Sequence, residues 1–401
     1  MSSTAPAAGI RRNILVLAVS QALGMAAAPV VILVGGLVGA ALAPAPALTT
    51  LPIATLVIGA ALSSVPAAML MRRVGRRAGF CAGALAGAAA AALAALALDA
   101  QSFFLFCLAT LLIGGNAAFV QQYRFAAAES AGDGSPANAI SAVLLGGIAA
   151  GFLGPELARR TRLLLPAEYA GSFLALALLN IVLAALLLAL RGLGPLAATG
   201  PAAPGRPIRT IARQPSFRLA AACGVVAYAV MSFVMTATPI SMRVIDQHSV
   251  DQAASVIQAH IVAMFTPALF TGFLVDRLGV RAMMTIGALA LLAALLFAPV
   301  NHHVSTYTVS LVLIGAGWNF LFVGSTVLLT RSYLPAERFG AQAANDFLVL
   351  AAQATAALSA GAAITRLGWE GVNRIALAPV TLAILLLLIT PIPKSHNPSQ
   401  P

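Results

Sequence analysis

The stretch GFLVDRLGVRAMM, residues 272–284, sets a charged turn between two apolar flanks. AMLMRRVGRRAGF, residues 68–80, writes much the same turn. Arg73, Gly75 and Arg77 of one copy fall where Arg277, Gly279 and Arg281 stand in the other. A basic turn repeated so far apart predicts a chain built from two related halves.

The surroundings of the turns say where such a chain lives. Of its 401 residues 60% are hydrophobic and 8% charged, and the mean hydropathy is +0.96. Soluble domains carry about 25% charged residues, so this exterior must face lipid. The net charge of +12 does not signal nucleic acid, because the basic residues form neither stripe nor tail. They sit in small groups between apolar runs, all Arg except Lys394. Cys81, Cys107 and Cys223 lie inside apolar runs without metal-type spacing and read as small core residues.

A membrane helix needs about 20 mostly apolar residues. Twelve such runs are expected, at 13–38, 49–71, 78–98, 101–123, 138–158, 170–190, 218–240, 253–275, 282–300, 305–330, 341–363 and 372–392. The start, with Arg11 and Arg12 before an Ala-rich run, is similar to a secretory signal but reads as a retained first span. With the N-terminus inside, seventeen Arg and Lys fall on the cytoplasmic side, against Arg159, Arg160, Arg162, Arg243, Arg366 and Arg374 outside. Both termini are therefore expected in the cytoplasm, with Arg159–Arg162 working against the assignment.

Residues 193–217 are rich in Pro, Gly, Ala and Arg and read as a cytoplasmic linker. They part a six-helix bundle at 1–192 from another at 218–401. The basic turns then lie between spans two and three and between spans eight and nine. LLIGGN at 111–116 and VLIGAGWN at 312–319 repeat likewise in spans four and ten. Duplicated halves place a shared cavity between them near the bilayer midplane.

These features together resemble the major facilitator superfamily of secondary transporters, whose turn motif runs G-x-L-x-D-R-x-G-R-[RK]. The second copy fits best, through Gly272, Leu274, Asp276, Arg277, Gly279 and Arg281. The first keeps Leu70, Arg73, Gly75, Arg76 and Arg77 but has Ala68 for the Gly and Arg72 for the Asp, so its acidic latch is missing. Glycine permits the tight turn and close helix approach. The Asp suits the positive start of a neighbouring helix, or a nearby Arg. A simple positive-inside anchor is the alternative for either turn. YRFAAAES at 123–130 and the following span resemble a bacterial subgroup of these transporters. GFLGP at 151–155 is partly similar to a motif of drug:proton antiporters, with Ala150 and Glu156 departing from it.

Ionisable groups within spans are costly and so are functional candidates. His260, about 10 Å into span eight, and Asp346 in span eleven are the candidates for proton coupling. The structural alternatives are a His bonded to a neighbouring helix, and an Asp paired with Arg338 or Arg331. Glu156 can pair with Arg159 and Arg160. Arg124 and Glu129 are expected in a latch at the inner face. Gln21, Asn116, Gln121, Tyr228, Gln258, Trp318 and Asn319 are cavity candidates, each of which could instead brace helices. Pro155, Pro239 and Pro267 mark kinks or helix ends.

GxxxxGK[ST], GxSxG and HExxH are absent, and His302-His303 has no acidic or Cys neighbours in sequence. No enzyme, cofactor or metal is expected. The expectation is an all-α, twelve-span transporter of a small organic solute, proton-coupled, monomeric, in a bacterial inner membrane. Efflux is slightly favoured through GFLGP. An uptake permease for a metabolite or vitamin is the alternative, and a non-transporting membrane sensor is the rival from another class.

Overall fold

A computed structural model describes residues 5–45, 48, 51–131, 135–193 and 206–391. Residues 194–205 of the expected linker, and Lys394, lie outside that set. No strand occurs among the described residues. Lipid offers no partner for backbone N–H and C=O groups, so apolar runs of this length close their hydrogen bonds internally as helices. Large apolar side chains cover the outside, among them Leu15, Leu178, Leu269 and Ile389, all more than 60% exposed.

The first half comprises α1 (Ala5–Met25), α2 (Ala27–Leu42), α3 (Leu51–Val74), α4 (Arg76–Asp99), α5 (Phe103–Val120), α6 (Tyr123–Ser130), α7 (Pro136–Leu144), α8 (Gly146–Thr161) and α9 (Ala170–Leu187). The short α10 (Ile208–Ala212) leads into α11 (Pro215–Ile240), α12 (Val250–Phe265), α13 (Ala268–Leu278), α14 (Val280–Phe297), α15 (Val304–Thr330) and α16 (Arg338–Ile389). Among the described residues ten stretches are long and apolar enough to cross a membrane, and the bent pair α12–α13 makes eleven. At 52 residues α16 is far longer than one bilayer crossing. Gly368, at φ 66°, breaks it into the eleventh and twelfth spans.

Several expected spans are broken into two helices. Span one divides at Ala26, span four at Gln121–Gln122 and span five at Leu145. Span eight bends by 40° at Thr266–Pro267, where proline removes a backbone donor. Pro155 and Pro239 stay within α8 and α11, the latter followed by a π-helical turn at Ser241–Ile245.

The repeated sequences do equivalent work in the two halves. Gly75 and Gly279 turn the chain between their helices at φ 85° and 87°. In the LLIGGN repeat, a Cβ on Gly114 would strike the Leu56 carbonyl of α3, and one on Gly315 the backbone of His260 and Met264 in α12. Both glycines let the fourth helix of a half approach its second. The halves meet through glycines as well: Gly147 lies under Phe265, Gly151 against Ile261, and Gly272 against Asn138.

Candidate functional site: a central cavity above a polar bridge

Between the halves lies a cavity of about 900 Å³ of empty space, its open mouth included. The first half supplies Met25, Ala28, Leu56, Ala60, Ile113 and Gln121; the second supplies Tyr228, Met231, Phe265, Trp318, Leu350 and Gln353. No charged side chain is among the lining residues. One wall is aromatic. Trp318 lies edge-on to Tyr228 at 5.3 Å and to Phe265 at 5.9 Å, and stacks on Phe322 at 5.1 Å. Such a wall suits a flat ring. Gln121 Nε2 donates across the halves to the Tyr228 hydroxyl at 3.4 Å.

At the end that carries the two basic turns, polar side chains bridge the halves. Arg124 Nη2 donates to Asp346 Oδ1 at 2.5 Å, both side chains 3% exposed. Its guanidinium lies between the rings of Phe125 and Phe322, 4.5 Å from each. Gln122 Nε2 donates to the other Asp346 oxygen at 2.6 Å. Arg76, wholly buried, donates to Glu129 at 2.5 and 2.8 Å and to Gln342 Oε1 at 2.6 Å. Arg338 reaches Glu129 at 3.1 Å. Asn138 donates to Asp276 at 3.0 Å, which sets that carboxylate at the first turn of α7, where the helix dipole favours it. Nearby Arg206 grips Glu337 through its side chain and backbone, and the side-chain hydrogen bonds to that carboxylate raise the guanidinium pKa.

The structure brings together only part of the expected site. Gln121, Tyr228 and Trp318 line the cavity, but four other cavity candidates do not. Gln258 is exposed on the outside of α12. Asn116 bonds Asn180 at 3.0 Å, joining α5 to α9. Asn319 bonds Thr271 and the Met264 carbonyl on either side of the Pro267 break, satisfying backbone that the break frees. Gln21 reaches Met25 Sδ and packs beneath Gly146, one turn from the cavity.

The ion pairs also differ from expectation. Asp346 pairs with Arg124 rather than with Arg338 or Arg331, because Arg338 lies two helical turns away and is turned to Glu129. Arg124 and Glu129 therefore have separate partners within one bridge. His260 is buried off the cavity, its Nδ1 at 2.7 Å from the Leu311 carbonyl. Glu156 pairs with Arg159 and Arg160. Arg73, Arg77 and Arg277 are exposed, whereas Arg281 donates to the carbonyls of Leu387 and Thr390 and ties α14 to the end of α16. His302 has an acidic partner after all, Asp246 at 2.8 Å, brought to it by folding.

The sequence reading passed over Gln122, Gln342 and Gln353, and gave Arg76 no role of its own. A signal existed for two of them: Gln342, Asp346 and Gln353, spaced by four and seven, form one polar stripe on an apolar helix.

Comparison with known proteins bears on this architecture directly. The sequence profile described as Major Facilitator Superfamily matches residues 220–401. The MFS-type transporter YdeG of Bacillus subtilis is 30% identical over 94% of this chain and 90% of its own. The chain belongs to the major facilitator superfamily. Within the superfamily, the riboflavin transporter RfnT of Brucella anthropi is 43% identical over 97% of this chain and 98% of its own. Among solved superfamily structures, the human organic anion transporter MFSD10 aligns with a TM-score of 0.73 at 16% identity, covering 94% of this chain and 99% of that one. FucP in its outward conformation aligns at 0.68 and 15%, covering 94% and 99%. At such identities these two share the fold alone. The chain is thus a multi-pass membrane transporter of a small molecule, not an enzyme.

Proposed function

We propose that this protein is a vitamin permease that carries riboflavin, or a close flavin analogue, inward across a bacterial inner membrane. The observation that carries the reading is the uncharged cavity walled by Tyr228, Trp318 and Phe265 between the two halves. A flavin ring is flat, largely apolar on its faces, and rimmed by carbonyl and nitrogen acceptors. Aromatic rings pack its faces, and the amides of Gln121 and Gln353 meet its rim. The full-length likeness to a riboflavin transporter supports the same cargo.

Residues 1–192 and 218–401 act as the two moving bodies, with both termini and the basic turns in the cytoplasm. The bridged end is then the cytoplasmic one, and the cavity loads from outside. Opening the inner side breaks Arg124–Asp346, Gln122–Asp346 and Asn138–Asp276, together with Arg76–Gln342 and Arg338–Glu129. Asp346 is the better placed of the two coupling candidates, since a proton on it removes the charge that holds Arg124. His260 has no such lever on the bridge. The GFLGP residues favour no export direction, because Gly151 and Gly154 serve packing against Ile261 and Pro29. The protein works as a monomer in this reading, because each chain holds a complete cavity.

The test is riboflavin entry into liposomes holding the purified protein, followed by flavin fluorescence with and without an imposed pH gradient. Saturable entry supports the reading, and stimulation by outside acid supports proton coupling. No riboflavin entry, with accumulation of another solute class, overturns it.

A further inference from the structure

We propose that Gln121 is a positioning residue that relays occupancy of the cavity to the Arg124–Asp346 pair. The inference takes its ligand from the flavin reading but stands on geometry of its own. Gln121 sits at the break between α5 and α6, and its two amide atoms serve different parts of the molecule. Oε1 accepts from Arg124 Nη1 at 2.8 Å. Nε2, in the cavity wall, holds only the Tyr228 hydroxyl, at 3.4 Å. The first is a firm charge-assisted bond and the second is near the limit of a hydrogen bond. A ligand acceptor in the cavity competes for the weakly held Nε2.

Arg124 has few partners to lose. Its Nε is buried without a hydrogen-bond partner in the protein, so its polar contacts are Asp346 and Gln121. The Phe322 ring that faces its guanidinium at 4.5 Å also stacks on Trp318 of the cavity wall. Polar and aromatic walls therefore converge on one cation in the bridge. When a carbonyl of the ligand draws the Gln121 amide toward itself, the Gln121–Tyr228 tie between the halves breaks. Oε1 moves off Arg124, and the bridge is left with fewer bonds. A ligand shifts a conformational equilibrium only through differential contacts with the two states. Gln121 is where those contacts differ.

Two variants separate the roles of the amide. Gln121→Leu removes both bonds. Gln121→Glu keeps an acceptor for Arg124 but has no donor for the ligand. The test uses the full-length protein in lipid nanodiscs, its native cysteines replaced, with spin labels at Val74 and Leu278. Both positions are exposed, beside the turn glycines of opposite halves. The distance between the labels reports opening of the bridged end.

Without ligand, Gln121→Leu is expected to populate longer distances than the parent, and Gln121→Glu to keep the parent distribution. Saturating riboflavin is expected to lengthen the distance in the parent and to have little effect in Gln121→Glu, whose riboflavin affinity falls about two- to tenfold for one lost hydrogen bond. An unchanged ligand-free distribution in Gln121→Leu overturns the relay, whatever the cargo. So does a full riboflavin response in Gln121→Glu. A ligand-free shift in Gln121→Leu, with no riboflavin response in the parent, upholds the link to Arg124 and sinks the flavin reading instead.

Discussion

Gly75 and Gly279 hold the same backbone conformation in opposite halves of the molecule, φ 85°, ψ 163° in one and φ 87°, ψ 156° in the other. This region is open essentially to glycine alone. A Cβ on Gly279 would meet nothing within 4 Å, so the constraint there is backbone and not space. Gly279→Ala is therefore expected to destabilise the protein by about 1–3 kcal/mol. Gly361→Ala, in an open helical position of α16, should be neutral or stabilising by up to about 1 kcal/mol. Thermal unfolding in one detergent compares them; equal melting temperatures would show that the turn does not need its glycine.

The Arg124–Asp346 pair is buried on both sides, so the partners depend on each other. Removing one leaves an uncompensated charge, at about 3–5 kcal/mol. Asp346→Ala alone should lower thermal stability sharply or release the bridged end. Arg124→Met combined with Asp346→Leu should recover much of the stability while losing control of opening. If the double variant is as unstable as the sum of the two single ones, the pair is not coupled in this way.

The approach of α3 to α5 depends on two glycines facing backbone. A Cβ on Gly59 would collide with the Leu111 carbonyl, just as one on Gly114 would collide with that of Leu56. Backbone cannot yield as a side-chain tip does. Each Gly→Ala change should force α3 and α5 apart and reduce the yield of monodisperse protein severely. A Gly36→Ala control, whose Cβ would have only one distant neighbour, should express normally. Size-exclusion profiles of the three variants settle the comparison.

The aromatic wall carries a prediction about affinity. Trp318→Ala should raise the KM for riboflavin about two- to tenfold, through loss of one aromatic contact. Trp369→Phe is the control: that indole packs on Tyr307 and donates to the Ala298 carbonyl, away from the cavity. Its loss should affect stability more than KM. Equal KM changes in the two variants would remove Trp318 from the binding surface.

The apolar runs, the linker composition and the doubled Arg-x-Gly-x-Arg turn are local patterns, which is why membrane residence and twofold design were legible in advance. Gln121, Tyr228 and Trp318 were legible too, as polar or amphipathic groups in spans that lipid would reject. Gln258 and Asn319 carry the same chemistry and were misplaced. Which face a helix turns to the cavity depends on neighbours distant in the chain, and the breaks at Ala26, Gln121, Leu145 and Pro267 re-aim the faces beyond them.

The sequence by itself determined that this chain is helical, spans a membrane many times and repeats itself, because those properties follow from composition and from spacing along the chain. Only the tertiary structure decided who pairs with whom. Asp346 goes to Arg124 and Arg338 to Glu129; Asp246 finds His302, and Arg76 leaves a basic cluster to become a buried bridge. A charge buried in lipid or protein must find a partner, but the chain meets that need with whichever group the packing of helices brings within about 3 Å. The physical chemistry of single residues sets the demand, and the fold chooses the answer.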